Sequence, residues 1–280
     1  MKLSDVTALG RPFDPNYPTN RAIGLLSAGV VVAGAAYRLL AGDPLLDSAL
    51  WGIGAGLTVF LAWALARELD PDHDLSAFVA AGLMIVGLLL WAQPELLLVF
   101  WLLLALRVVN RTTGLPARWL DSLGLLGLGG WLTWQGHWAA GLLTVAAFAL
   151  DGWLAPALRR EWILALLALL GTVALAVFHG DITQVESAST PTILAVAAMV
   201  ALFSVVIATS RQVTSLCDQT GEPLQPARLR AAQALALAAG LLLACWNGTN
   251  GVIALLPAWA AMLGVGLYRL GLLARRATLA

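Results

Sequence analysis

Long runs of apolar residues, separated by short polar connections, fill the chain from residue 22 to residue 273. A helix that crosses a bilayer needs about 20 mainly apolar residues, and fewer where the bilayer thins or the helix ends snorkel. The pattern predicts ten spanning helices, or eight to nine if some of the shorter runs do not cross. The predicted spans are 22–41, 46–66, 76–92, 95–109, 120–135, 138–155, 162–178, 191–209, 229–246 and 251–273. The predicted fold class is therefore an all-α, polytopic membrane bundle.

The positions of lysine and arginine predict how these helices are threaded. Cytoplasmic loops retain basic residues, whereas exported loops avoid them. If the amino terminus is cytoplasmic, every basic residue except Arg38 falls on the cytoplasmic side. We therefore expect both termini in the cytoplasm and an integral protein of the plasma (inner) membrane. Residues 1–20 are polar and predict a cytoplasmic tail that lies along the membrane, and residues 21–280 predict a single transmembrane domain.

The composition agrees with this interpretation and excludes one class of partner. Apolar residues make up 60% of the chain and charged residues only 11%, whereas about a quarter of a soluble domain is charged. The formal net charge is zero, so the chain lacks the excess of basic residues that is typical of nucleic-acid-binding proteins. The expected partners are the lipid bilayer, a lipid or small-molecule substrate, and other membrane subunits.

The turn RELDPDHDLS, between the second and third predicted spans, concentrates carboxylates. Its acidic residues are Glu68, Asp70, Asp72 and Asp74. Carboxylate oxygens suit a divalent cation such as Mg²⁺, and His73 adds a base. Pro71 makes the segment a turn, so Asp72 or Asp74 could instead cap the third helix. The turn predicts a metal site, with Mg²⁺ as the cofactor, or else a solvated capping turn or a surface that docks a partner.

A basic segment, LRVVNRTTG, ends the fourth predicted span. Arg107, Asn110 and Arg111 have i, i+3 and i+4 spacing, so they share one face if the helix persists. Two guanidinium groups and an amide could bind a phosphate or a carboxylate through forked hydrogen bonds. For Arg111 the alternative is anchoring, in which its side chain snorkels towards lipid phosphates.

Two aspartates lie near the same ends of the following spans. Asp121 opens the fifth span and Asp151 lies close to the end of the sixth. An ionisable group near hydrocarbon is costly and usually has a partner, so we expect Asp151 to pair with Arg107. The candidate substrate-binding residues are Arg107, Asn110, Arg111, Asp121 and Asp151.

The middles of the spans carry few polar groups, mainly hydroxyls such as Thr58, Thr144 and Thr172. A proton-coupled carrier usually places ionisable residues at that depth, so this class is disfavoured. Pro257, inside the tenth predicted span, is a candidate helix break.

Three functions are compatible with these features. The favoured one, by analogy with the architecture of transporters, is a small permease or flippase-like carrier for an apolar or lipid substrate. The first alternative is an intramembrane metal-dependent enzyme that acts on a lipid-linked phosphate at the cytoplasmic face. In that enzyme, the acidic turn would hold the metal while Arg107 and Arg111 bind the phosphate. The second alternative is a non-catalytic membrane subunit of a larger complex.

Overall fold

The computed structural model describes residues 6–10, 13–179 and 185–279, and within these ranges the chain forms ten helices. Apart from two isolated β-bridges, the described regular structure is helical, which confirms the all-α prediction. The helices are α1 (Pro18–Leu40), α2 (Leu45–Leu69), α3 (Asp74–Leu90), α4 (Leu96–Asn110), α5 (Trp119–Trp134), α6 (Trp138–Trp153), α7 (Glu161–His179), α8 (Thr190–Thr209), α9 (Pro226–Ala254) and α10 (Leu256–Leu279).

Six of these helices are long and apolar enough to cross a membrane, which indicates a membrane protein. They are α1, α2, α7, α8, α9 and α10. In α1 only 6% of the apolar stretch is buried by other parts of the protein, against 67% in α2. The leucine and valine side chains exposed along α1 therefore need an apolar surrounding, as lipid provides.

The contacts between residues divide the chain into two compact units. The first comprises Met1–Pro12 and Phe100–Val252, and therefore contains α5 to α8 together with most of α4 and of α9. The second comprises Phe13–Val99 and Ile253–Ala280, and contains α1, α2, α3 and α10.

In the first unit, α5, α6 and α7 pack on one another. Helix α4 joins them through Trp101, which is completely buried and donates its indole N–H to the Thr144 hydroxyl of α6 at 3.0 Å. Gly129 of α5 lies directly against the same threonine, where a larger residue would collide. A hydrogen bond of 3.0 Å from the Gln233 amide to the Ser210 hydroxyl links α9 to the end of α8.

In the second unit, α2 packs against α1, α3 and α10, and α3 also packs against α10. Small residues bring these helices close together. A Cβ atom at Gly52 would lie 2.5 Å from the Val31 carbonyl oxygen of α1, and one at Gly264 would lie 2.6 Å from the Ala80 nitrogen of α3. Such close backbone approach is typical of helices that associate within a membrane.

The boundary between α9 and α10 differs from the prediction. Helix α9 continues beyond residue 246, with a kink at Gly248, where φ is 56° and ψ is −134°. A Cβ atom there would also lie 2.8 Å from the Ser187 carbonyl oxygen, so both the backbone conformation and the close approach require glycine. Pro257 is the second residue of α10, and the helix is interrupted at residue 255, so the predicted span 251–273 is broken beside Pro257, as expected. Proline fits this position because the N–H groups of the first turn have no intrahelical partner.

Part of the predicted amino-terminal tail packs on the first unit. Ala8 is completely buried and Leu9 is 5% exposed. The Thr7 hydroxyl and the Ala8 N–H both donate to the Asp121 carboxylate, and the Thr113 hydroxyl donates to the Ala8 carbonyl at 2.8 Å. These bonds hold residues 7–9 against the end of α4 and the start of α5. Residues 1–5, 11 and 12 of the predicted tail lie outside the described ranges.

Candidate functional site

Three buried charged residues meet where α6 ends and α9 begins. Asp151, in the last turn of α6, is completely buried. Arg111 donates to both of its oxygens, from Nε at 2.8 Å and from Nη2 at 2.9 Å. Arg228, in the first turn of α9, donates from Nη1 at 2.7 Å. We call these residues the Asp151 cluster. Because arginine stays protonated in proteins, two permanent cations share one carboxylate and the cluster carries one surplus positive charge.

Arg228 acts as a clamp. Each of its five N–H groups has an acceptor, namely Asp151 Oδ1 and the carbonyl oxygens of Val109, Leu154, Ala155 and Pro156. Its side chain is 2% exposed. These bonds tie the first turn of α9 to the end of α4 and to the loop that follows α6, so the role of Arg228 is to hold these elements together.

Arg111 donates fewer hydrogen bonds than Arg228 does. Three of its N–H groups donate to Asp151 and to the Pro156 carbonyl, which leaves one N–H on Nη1 and one on Nη2. Its side chain is only 7% exposed. Its backbone φ is 51°, in the left-handed region that usually holds glycine after the last turn of a helix. A non-glycine residue held in this region is strained, and such strain is concentrated at functional sites.

A cavity of about 210 Å³, lined by polar and apolar residues, adjoins Arg111, and we call it the polar cavity because of its charged side chains. It lies between the end of α4, the loop after α6 and the connection from α8 to α9. The polar side chains that line it are those of Asn110, Arg111, Cys217, Glu222, Gln225 and Arg228. Glu222 and Gln225 are exposed, whereas Asn110 and Arg228 are buried. The cavity therefore has a positively charged interior and a solvated rim.

The structure brings together three of the five predicted substrate-binding residues. Asn110 and Arg111 line the cavity, and Asp151 binds Arg111. Arg107 instead donates to the Leu9 carbonyl at 3.1 Å. Asp121 accepts the Arg118 N–H at 2.9 Å at the start of α5, in addition to its bonds with residues 7 and 8.

Two predictions about the arginines were wrong. Asp151 pairs with Arg111 and Arg228, not with Arg107, because α4 ends at Asn110 and the left-handed turn at Arg111 removes this residue from the predicted helix face. The anchoring alternative for Arg111 is also wrong, since a side chain that is 7% exposed and bound to a buried carboxylate does not snorkel to the surface.

Sequence reasoning did not select Arg228, although the chain contains a signal for it. Basic residues are disfavoured in the first turn of a helix, where the helix dipole is positive. Pro226 marks that first turn, and Arg228 lies two residues later. A cation in this position indicates a local carboxylate or a set of carbonyl groups that offsets the unfavourable dipole.

The acidic turn belongs to the second unit and has its own partners. Asp70 is completely buried at the end of α2, where it accepts from Arg269 Nη2 at 2.8 Å and contacts His73 Nδ1 at 3.0 Å. The hydrogen bond to Asp70 raises the pKa of His73 above its usual value, and partial burial of the ring opposes this effect. We call these residues the Asp70 cluster.

For the other acidic residues of the turn, the structure contradicts the alternative in which Asp72 or Asp74 caps α3. The N-cap of α3 is His73, whose side chain makes no capping bond. Asp74 lies in the first turn of α3 and forms an ion pair with Arg67, while Glu68 is buried in α2. Among the described residues, no three His, Cys, Asp or Glu side chains are grouped so that they could hold a metal ion. The magnesium site at Glu68, Asp70, Asp72 and Asp74 stays a prediction.

A second cavity, of about 490 Å³, lies between α5, α6 and α7 in the first unit. Its lining is apolar and rich in glycine, with Gly129, Gly130, Gly141 and Gly171 among its residues. Its two hydroxyl groups donate to carbonyls of their own helices, Thr144 to residue 140 at 2.7 Å and Thr172 to residue 168 at 2.8 Å. Because these donors are already satisfied, the cavity presents an almost wholly apolar surface.

No family model, no curated protein and no solved structure matches the chain. The function is therefore inferred from the residues themselves. The first unit contains a small polar cavity with a buried positive charge and a larger apolar cavity between three packed helices.

Proposed function

We propose that the protein is a multi-pass membrane protein of the permease or flippase type, which binds an apolar or lipid substrate between α5, α6 and α7. The observation that supports this proposal is the apolar cavity of about 490 Å³. Its volume lies in the range of roughly 300–1,000 Å³ that is usual for small-molecule sites.

The lining of the cavity favours a substrate without charge at the bound end. None of the described residues that line it is ionisable. A polar solute would lose its hydrogen bonds to water there without replacing them, which costs a few kcal/mol per group. An acyl chain or another apolar group makes no such demand. Trp134 and Phe178 are exposed at the rim, where tryptophan in particular favours the level of the lipid headgroups.

The proposed orientation follows from the basic residues. Ten spans, with both termini in the cytoplasm of a cell bounded by the plasma membrane, place nearly all arginines on the inner side. In this orientation the Asp151 cluster lies towards the cytoplasm. Trp134, at the other end of α5, lies towards the exterior, so the apolar cavity opens in the outer half of the bilayer.

Filling the apolar cavity tests the proposal. Gly130 and Gly171 both line it, and a Cβ atom at either position would have no neighbour within 4 Å. Gly130→Leu and Gly171→Leu therefore add volume inside the cavity without a backbone collision. Gly127→Leu is the matched control, because Gly127 is on the same helix as Gly130, has equal space and does not line the cavity. All three changes replace a glycine that weakens its helix.

The measurements are the amount of phospholipid that copurifies with each variant and the movement of a fluorescent phospholipid between the leaflets of proteoliposomes. We expect both cavity variants to lose most of the bound lipid and most of the transfer, and Gly127→Leu to retain both. Equal binding and transfer in all variants would contradict the proposal. Lipid binding without any transfer in the unsubstituted protein would favour the non-catalytic subunit.

A further inference from the structure

We propose that the polar cavity beside Arg111 is a binding site for a small oxyanion of the phosphate class. This inference goes beyond the proposed function and is independent of it, because it uses a different cavity and different residues. It assigns a ligand to the residues Asn110, Arg111, Glu222 and Gln225, with Asp151 and Arg228 as their support.

The first argument is the charge of the Asp151 cluster. Arg111, Arg228 and Asp151 are 7%, 2% and 0% exposed, and together they carry one surplus positive charge. An unbalanced charge away from water is costly, so an anion that enters the cavity relieves this cost. Glu222 does not replace the anion, because it is exposed at the rim and its charge is screened by solvent.

The second argument is the donors that Arg111 still offers. One N–H on Nη1 and one on Nη2 have no acceptor among the bonds described above, and the guanidinium lines the cavity. Two such groups on one planar guanidinium match two oxygens of a phosphate or a carboxylate. Arg228 cannot contribute, since its five N–H groups are already bonded. The anion is therefore held by Arg111, while Arg228 fixes the cluster.

The third argument is the size of the cavity. Its volume of about 210 Å³ is several times the space of roughly 30 Å³ that one water occupies in the liquid. It is smaller than the roughly 300 Å³ at which small-molecule pockets usually begin. The cavity thus suits a free oxyanion or the phosphate group of a lipid whose remaining atoms lie outside. Both sources share the chemistry that Arg111 recognises.

Two isosteric changes at the rim test the site without disturbing the buried cluster. Glu222→Gln removes a negative charge next to the cavity, and Gln225→Glu adds one. The probe is inorganic phosphate, titrated into the purified full chain in phosphate-free detergent, with binding measured as a shift in the thermal unfolding midpoint. We expect Glu222→Gln to tighten phosphate binding by about two- to fivefold and Gln225→Glu to weaken it by a similar factor, as for one screened charge.

The control is Asp218→Asn, an equal change of charge in the same connection at a residue that does not line the cavity. It should leave the phosphate affinity unchanged. The proposal is overturned if the unsubstituted protein shows no saturable response to phosphate. It is also overturned if the three variants respond alike. Because one variant is expected to bind more tightly, a general loss of folding cannot imitate the expected result.

A second experiment identifies the source of the anion. The same titration is made in nanodiscs of phosphatidylcholine and in nanodiscs that also contain phosphatidic acid. If the site takes a lipid phosphate, phosphatidic acid should abolish the response to added phosphate. If it takes a free anion, the response should be equal in both membranes. Gly171→Leu, in the apolar cavity, should leave phosphate binding unchanged, so this inference and the proposed function fail separately.

Discussion

The Asp151 cluster and the Asp70 cluster begin from the same element, a completely buried aspartate at the end of a helix. In each, an arginine from a helix later in the chain donates to that carboxylate, at 2.7 Å from Arg228 and at 2.8 Å from Arg269. The second partner differs, because it is Arg111 in one cluster and His73 in the other.

This difference determines how each cluster responds to its surroundings. Two arginines keep the surplus positive charge of the Asp151 cluster at every pH that a cell experiences. Asp70, Arg269 and His73 have the same surplus only while the histidine is protonated. The first arrangement is thus suited to attract an anion permanently, and the second to change its charge with pH.

The largest effect is expected from Asp151→Asn. This change leaves Arg111 and Arg228 buried together without their shared carboxylate, and breaking a buried ion pair in this way costs about 3–5 kcal/mol. The free energy of unfolding in detergent, measured with a denaturant, should fall by that amount. Asp47→Asn, at an exposed aspartate in the first turn of α2, is the control and should cost less than about 1 kcal/mol. Equal losses would show that the Asp151 cluster does not stabilise the fold.

A smaller loss is expected from Arg228→Lys. Lysine keeps the charge but has three N–H donors, so at least two of the five bonds of Arg228 are lost, at a cost of about 2–3 kcal/mol. Arg269→Lys in the other cluster should cost about 1 kcal/mol or less, since an ammonium group can also bind Asp70. Unfolding of the two variants under the same conditions compares the clusters directly. A greater loss of stability in Arg269→Lys than in Arg228→Lys would contradict this prediction.

The pH dependence of stability should come from the Asp70 cluster and be weaker still, because His73 is one-third exposed. Since the hydrogen bond to Asp70 raises the folded-state pKa, this contribution is complete below the unfolded value of about 6.5. It is lost as the pH rises through the folded-state pKa. The charges around His73 are those of Asp70, Arg269 and Asp72. The measurement is the thermal unfolding midpoint at a series of pH values. His73→Gln should remove this part of the dependence of the midpoint on pH, whereas His137→Gln, in the first unit, should retain it.

The smallest expected effect concerns the electrostatic potential inside the polar cavity. Cys217 lines this cavity and can report that potential. In a Cys245→Ser background, the rate of alkylation by anionic iodoacetate relative to neutral iodoacetamide reports that potential. The reference is the same ratio at exposed Cys245, measured in the Cys217→Ser variant. The ratio at Cys217 should be about two- to fivefold higher than this reference, and the difference should decrease with added salt. An unchanged ratio would mean that Glu222 neutralises the cavity.

The sequence predicts the helices better than it predicts their ends. Apolar runs and the polar turns between them mark all ten described helices, because clusters of polar, glycine and proline residues show where each apolar helix ends. The end of α9 was misplaced because the kink at Gly248 needs only one residue, while the helix resumes on either side. Pro257 signalled an interruption, but it lies just after that interruption instead of within it.

The candidate site could be predicted only in part. Asp151 and Arg111 stood out because ionisable residues are rare near apolar spans. Their pairing could not be deduced from the sequence. The prediction that Arg107 and Arg111 share one helix face requires α4 to continue through Arg111, but α4 ends at Asn110. Arg228 is 77 residues from Asp151, and no local pattern encodes a contact over that separation.

The contacts of residues 7–9 determine when this segment can reach its final position during synthesis of the chain. Their partner Asp121 is 113 residues beyond Ala8. At roughly 5–20 residues per second, a ribosome needs on the order of 6 to 20 s to make that stretch. Residues 7–9 therefore lack their partner Asp121 while α1 to α3 are synthesised, and they can pack against α4 and α5 only after both have been made. The docking of residues 7–9 thus follows the synthesis of α4, although these residues are translated before any of the ten helices.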